Sequence, residues 1–286
     1  MLGRIRQSVS ERRFHHSRLL LLVFWTCILA QSQLAQSEDE KTVQADQLPE
    51  ANPARPTVAT PATLTPVGYL QFENGILYAA DSAEFSSRLG VNQVTKLAVN
   101  QRLQFIVQSE PLVHSGLGPV KEYNPGDVLA GAQAVLLPGQ EKRPTISLGY
   151  FKHVYAGSAP DVDFGTPEHS LILLISDDLA GFHLDLNGMF NEQREDHVGR
   201  AQFGQTISIS HPVKKFTVGA ELWHFTQPFL RGNAVGNLWA VSYPLRRNLV
   251  LDAGFNRGLT GSSTQWEGFA GFTYVLPRRL WGGKRP

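Results

Sequence analysis

Between residues 67 and 276 apolar and polar side chains alternate along one short segment after another. Successive side chains of an extended strand point to opposite faces. A period of two therefore excludes amphipathic helices and commits the region to half-apolar β-strands. The segment 182–190 is the clearest: Phe182, Leu184, Leu186 and Phe190 share one face, His183, Asp185 and Asn187 the other. Leu103, Phe105 and Val107 alternate in the same way with Arg102, Gln104 and Gln108. So do Leu249, Leu251 and Phe255 with Asp252 and Asn256, and Leu89, Val91, Leu97 and Val99 with Arg88, Asn92 and Lys96. Leu70, Phe72, Ile76 and Tyr78 oppose Tyr69, Gln71 and Glu73. With Ile207 and Ile209 and the weaker stretches 128–137, 146–155, 171–175, 216–225, 235–243 and 266–276, twelve strands are predicted. The stretch 171–175 is apolar on both faces.

The connections alternate as well. Short turns are expected at 100–101, around 138–139, and at 177–181, 212–215 and 244–248. Longer polar loops are expected near 80–87, 111–126, 156–168, 191–200, 226–233 and 257–264. An up-and-down sheet puts every second connection at the same end, so one short end and one long end point to an antiparallel barrel of the transmembrane kind. A Greek-key sandwich has no reason to obey this parity. Twelve strands also enclose more space than side chains fill as an oily core, for which about eight is the packed limit. The fold class is thus all-β, a transmembrane up-and-down barrel with its apolar face towards lipid. A soluble barrel would turn Phe182, Leu184, Leu186, Leu103 and Phe105 inward instead. The mean hydropathy of −0.17 is what alternating lipid-facing and lumen-facing residues average to.

Ahead of the strands lies an address. Arg4, Arg6, Arg12, Arg13 and Arg18 precede the apolar run 19–30, and small-residue sites follow at Ala30-Gln31-Ser32 and Ala35-Gln36-Ser37. This order is that of a secretory signal peptide, assigned to 1–37. Cleavage there removes Cys27, the single cysteine, and leaves a mature chain near −3, so neither a disulfide framework nor a nucleic-acid partner is expected. Residues 38–66, acidic and then rich in Pro, Ala and Thr, read as a disordered periplasmic linker. The barrel is assigned to 67–276 and a basic tail to 277–286.

If the apolar face meets lipid, the opposite face lines a lumen. Its expected residues are Glu73, Arg88, Lys96, Arg102, Gln104, Glu110, Asp127, Gln133, His183, Asp185, Asn187, Glu221, Asp252, Asn256 and Glu267. Seven acids stand against three bases, which suits cations or polar neutral solutes. The same charges also suit a lumen stapled shut by ion pairs. The loop 112–123 is positioned to fold in and constrict the path. An aromatic girdle is expected from Tyr69, Tyr78, Tyr150, Trp223, Trp239, Tyr243, Trp266 and Tyr274, because Trp and Tyr favour the membrane–water boundary. Arg143, Lys214, Lys215, Arg246, Arg247, Arg278 and Arg279 gather at the short-turn end, where headgroup contacts or plain solvation both fit.

No catalytic, metal or cofactor site is expected. His169 and Ser170 are neighbours and point to opposite faces of a strand. His183 and Asp185 share a face without a serine or a third metal ligand.

Three stretches resemble a bacterial outer-membrane family named for the MetA pathway of phenol degradation. They are Asn124-Pro125-Gly126-Asp127-Val128-Leu129-Ala130-Gly131-Ala132, the run from Leu251-Asp252-Ala253-Gly254-Phe255 through Asn256-Arg257-Gly258-Leu259-Thr260, and the Gly-rich aromatic strand 266–274. The resemblance covers roughly 66–277. It implies an outer-membrane barrel that takes up small solutes, with small aromatic compounds among them. Gly271-Phe272-Thr273-Tyr274-Val275-Leu276 approximates the terminal signal read by the barrel-assembly machinery, with Leu276 in the aromatic place. The expected function is an outer-membrane channel or uptake porin. Its partners are outer-membrane lipids, the assembly machinery and a small-molecule solute. The alternatives are a structural or ligand-binding barrel with a plugged lumen, and a lipid-modifying enzyme.

Overall fold

The computed structural model describes residues 48–281, apart from positions 83, 119, 142, 164, 196 and 231. The expected signal peptide, the first part of the linker and the end of the tail lie outside the described residues.

The strands, in chain order, are β1 (Leu70–Ala80), β2 (Ser87–Asn100), β3 (Leu103–Leu117), β4 (Val120–Asn124), β5 (Val128–Leu137), β6 (Thr145–Tyr155) and β7 (His169–Leu179). They continue with β8 (Phe182–Glu195), β9 (Val198–Val213), β10 (Phe216–Phe225), β11 (Ala234–Arg246), β12 (Leu249–Gly258) and β13 (Trp266–Val275). Each pairs antiparallel with its neighbour, β3 skips β4 to pair with β5, and β13 pairs with β1. The result is a closed ring of twelve strands, with β4 folded back on the outer part of β3. Closure leaves no edge unpaired in the twelve-stranded ring, the condition for placing a sheet in lipid.

The orientation follows from the pleat. Ile76, Phe105, Val107, Leu171, Leu173, Leu186, Phe190, Ile207, Trp239 and Phe255 are exposed on the outer surface, Phe105 by 51%. Gln71, Glu73, Arg88, Gln104, Gln133 and Glu221 are buried inside, Glu73 to 1%. Apolar outside and polar inside is the inverse of a soluble protein. It suits an exterior surrounded by hydrocarbon.

Short two-residue turns join β2 to β3, β7 to β8, β9 to β10 and β11 to β12. In the β7–β8 turn both Ala180 (φ 52°) and Gly181 (φ 84°) adopt left-handed conformations, which matches the turn to the twist of its strands. The β5–β6 connection at that end, 138–144, is longer than the short turn expected there. The opposite end carries the other longer connections, with one exception. Where a loop was expected at 191–200, Glu195 pairs with Val198 and β8 and β9 simply run on, to 14 and 16 residues. The polar composition there reflects strand leaving the apolar belt rather than leaving the sheet.

The expected disordered linker is the largest correction. Over 48–66 it enters the barrel from the short-turn end, rises about halfway and returns to β1. Ala51 N–H donates to Arg247 O (2.9 Å) at the entrance, and Gly68 N–H to Ala98 O (2.8 Å) at the exit. Proline spacing and the lack of a hydrophobic period look alike in a solvated linker and in an extended segment that wall side chains hold. Composition therefore missed the lumen as its environment.

Candidate functional site

Pleat parity places the lumen side chains, and the enclosed segment uses them. Buried backbone N–H groups must find acceptors, and those of 48–66 find side chains instead of strand partners. Asn52 N–H donates to Gln71 Oε1 (3.0 Å) and Ala54 N–H to Glu73 Oε1 (3.3 Å). Val58 and Ala59 N–H each donate to Glu221, both at 2.8 Å. Thr60 N–H donates to Asn187 (2.6 Å), Ala62 N–H to Ser176 Oγ (2.7 Å) and Thr65 N–H to Gln104 (3.1 Å). In return Gln133 donates to the carbonyls of Pro61 and Ala62, and Ser147 to that of Ala62. These contacts reach seven of the twelve barrel strands, all along the short-turn half of the lumen wall.

Arg55, the one charged residue in 51–66, has a seat built for it. Its Nε and Nη2 face the two carboxylate oxygens of Asp252 at 3.4 and 3.3 Å. Behind it Gly75 of β1 pairs with Gly271 of β13. A Cβ at Gly271 would lie 2.7 Å from Nη2 and 2.8 Å from Nε, so the missing side chain leaves a flat recess for the guanidinium. Val58 packs against an interior cluster of Trp223, Phe225 and Ala234.

Above the segment lies a cavity of about 410 Å³. Its floor is formed by Ala54–Thr60 residues of the enclosed segment and its lid by loop 156–168, which folds into the barrel. The Asn124-Pro125-Gly126-Asp127 stretch anchors that loop. Asp127 accepts from Gly157 N–H (2.6 Å), and Pro125 O accepts from Ser158 and Ala159 N–H (3.0 and 3.2 Å). Further along, Arg88 Nε donates to Pro160 O (2.9 Å) and Thr264 N–H to Asp163 Oδ1 (2.5 Å). The expected constriction, 112–123, points elsewhere. It forms the β3–β4 hairpin, and Leu117, Val120 and Tyr123 are exposed at its tip.

Six acids border the cavity: Glu73, Glu110, Asp127, Asp161, Asp163 and Glu267, against Arg55 and Arg88. Arg88 pairs with Glu110, Lys96 with Glu73 (2.5 Å), and His153 Nε2 with Asp127 (3.1 Å). Burial, reinforced by the nearby Asp127 charge, pushes the Asp161 carboxyl up to about 6 despite two hydrogen bonds from Thr166. Burial also raises Asp163.

Of the lumen residues expected from sequence, Glu73, Arg88, Lys96, Gln104, Gln133, Asp185, Asn187, Glu221, Asp252, Asn256 and Glu267 are buried on the interior face. Glu110 and Asp127 border the cavity. His183 sits half-buried near the short-turn end between Asp178 (2.7 Å) and Asp185 (3.4 Å). Arg102 is misplaced. It lies exposed in the β2–β3 turn, its guanidinium 3.4 Å from the carbonyls of Val135 and Leu136, because β3 begins only at Leu103.

Among the expected girdle residues, Tyr78, Tyr150, Trp239 and Trp266 are exposed outside, Tyr150 and Trp239 at mid-strand. Tyr243 and Tyr274 are half-buried near the short-turn end, and Tyr69 precedes β1. Trp223 is interior, 2% exposed, with Nε1 donating to Asn256 (2.9 Å). It stands two residues from Glu221 and so shares its face, a parity that rules it out of any outer belt. Sequence reading missed Arg55, Asp161 and Asp163. The lone charge in a Pro-rich stretch and the acidic pair in 156–168 were the available signals.

Among the described residues, the grouping of Ser176, His183 and Asp185 presents no activated nucleophile. Ser176 donates to Asp185 (2.5 Å), and His183 meets the same carboxylate rather than the hydroxyl. Among the described residues no group of three or more His, Cys, Asp or Glu is arranged to hold a metal.

No protein-family model matches the chain, and neither does any curated protein sequence. Solved structures do. A KdgM porin is 12% identical over 72% of this chain and 99% of its own, with a TM-score of 0.51. A NanC porin is 10% identical over 73% and 99%, with a TM-score of 0.49. At such identities the KdgM match shows the fold alone. The likeness is to outer-membrane porin barrels in general and does not single out the phenol-degradation family. With its closed ring, polar interior and apolar exterior, the chain has the fold of an outer-membrane porin barrel.

Proposed function

We propose that the protein is an outer-membrane channel for small solutes that rests closed, with residues 48–66 as its gate. The observation that carries this reading is the way the segment is held. It adds no strand to the sheet and contacts the wall chiefly through side-chain hydrogen bonds, with ion pairs at Arg55–Asp252 and Glu50–Arg247, so it can leave without breaking the barrel. A lumen of buried Gln, Asn, Ser and Thr supports a path that stays polar and wettable once the segment moves. The resemblance to the phenol-degradation family favours solutes with an aromatic body, and Phe151, Trp223 and Phe269 in the cavity wall accommodate one. The working partners are outer-membrane lipids, the barrel-assembly machinery and the solute, with Tyr78, Trp266, Tyr243 and Tyr274 meeting headgroups.

A second reading, a binding barrel with a permanent plug, is favoured by the number of wall residues engaged by 48–66. Liposome swelling separates the two. Vesicles carrying a chain that begins at Thr65 should swell in isotonic small sugars, and those carrying the full mature chain should swell slowly. Swelling of the shortened chain with none at all from the full chain would favour the permanent plug, and no swelling of either would contradict both.

A further inference from the structure

The cavity has a chemistry that passage of generic solutes does not account for. Leu77, Phe151, Ile172, Trp223, Leu238 and Phe269 give it apolar and aromatic wall. Facing them is a surplus of carboxyl groups. Both guanidinium groups of the lining are already matched, Arg88 by Glu110 and Arg55 by Asp252. Glu73 has Lys96 and Asp127 has His153. Asp161, Asp163 and Glu267 have no ion-pair partner among the described residues. They lean instead on the neutral groups of Thr166, Thr264 and Asn256.

A second observation, independent of charge, points the same way. Asn191 faces the lumen on the cavity wall and is 2% exposed. Its NH2 group donates to Gln202 (2.8 Å), and its Oδ1 accepts nothing. Asn92, also on the wall, gives its NH2 to Glu110 (3.0 Å) and likewise has an unpartnered Oδ1. Buried acceptors without donors are uncommon and costly. The same wall holds one unpartnered donor, Arg88 Nη1, whose guanidinium is otherwise engaged by Glu110 and Pro160; the Asn191 oxygen is left for a donor from outside the wall.

We propose that the cavity is a binding site for a small organic ammonium with an aromatic body, an arylalkylamine. Its N–H groups would meet Asp163 and Glu267, with Asp161 closing from the lid, while its ring lies against Trp223, Phe151 and Phe269. Three N–H donors on a compact charge satisfy several acceptors at once, and aromatic faces add cation–π attraction. The volume of about 410 Å³ falls in the range of small-molecule sites. A bare metal ion fits less well, since no three-ligand group is present among the described residues. The inference rests on the channel reading only for how the ligand arrives and leaves.

The test is calorimetry on the full chain in detergent with three ligands of one shape: phenethylammonium, 2-phenylethanol and phenylacetate. The cation should bind at least tenfold more tightly than the alcohol, and phenylacetate should give no heat. Asp163→Asn and Glu267→Gln should each weaken the cation tenfold or more and leave the alcohol unchanged. If either fails to fold, Asp161→Asn on the loop should show the same selective loss. Alcohol or carboxylate binding as tightly as the ammonium would overturn the proposal, as would a folded chain that binds none of them. Bilayer conductance of a chain beginning at Thr65 is read separately. Conductance without ammonium binding overturns the site and spares the channel, and binding without conductance does the reverse.

Discussion

Arg55 and Asp252 are 197 residues apart in sequence and meet inside the barrel, the guanidinium presenting Nε and Nη2 to both carboxylate oxygens. The pair fastens the enclosed segment to β12, and the Gly75–Gly271 recess gives it room. Removing one partner strands the other charge in a partly buried site. Asp252→Asn should therefore loosen the segment and raise channel open probability by roughly tenfold, the equivalent of about 1.4 kcal/mol. Gly75→Ala should act in the same direction, since a Cβ there meets the Arg55 guanidinium first, and it leaves the charges in place. Single-channel recording checks both, and unchanged opening in both variants would mean that Arg55 is no latch.

Glu221 accepts the N–H groups of Val58 and Ala59 from the top of the segment. Glu221→Ala leaves two donors unmatched. The expected cost is about 1–3 kcal/mol against the seated segment. Thermolysin cleavage at the Thr57–Val58 bond in folded barrels gives the readout, and the variant should be cut much faster than the wild type. A charge-reversing variant at this position should likewise displace the segment before it alters ion selectivity.

The Asp161 carboxyl titrates near 6 with the lid folded in and near 3.8 when the lid is free. The folded-in lid thus binds more protons between those values. Its stability is fully present below pH 3.8 and is lost as pH rises through 6. A spin label on loop 156–168 should become more mobile between pH 4 and 7, and Asp161→Asn should remove most of that change.

The barrel was legible in the sequence because its two environments impose a strict parity. Leu186 and Asp185, or Phe105 and Gln104, advertise opposite surroundings one residue apart. Parity also held the answer for Trp223, which shares a face with Glu221 and was assigned outward on residue type alone. β7 looked ambiguous because the enclosed segment and loop 156–168 give Ile172 and Leu174 an interior to pack in, so both faces of that strand are apolar. The segment itself was illegible. Its bonds run through the backbone to Glu221, Asn187 and Ser176, and backbone donors leave no mark on residue identity.

The outward face gives a stability prediction. Phe105→Arg places a charge on the lipid side and should cost about 2–4 kcal/mol near the bilayer midplane. Urea unfolding from lipid vesicles measures this. A negligible loss would place Phe105 outside the hydrocarbon.

The claim that residues 48–66 gate the lumen is tested most directly by single-channel conductance in planar bilayers, comparing the full mature chain with one that begins at Thr65. Long closed dwells with rare openings are expected for the full chain, and a steady open level for the shortened one. Indistinguishable conductance from the two chains, open or closed, would contradict it.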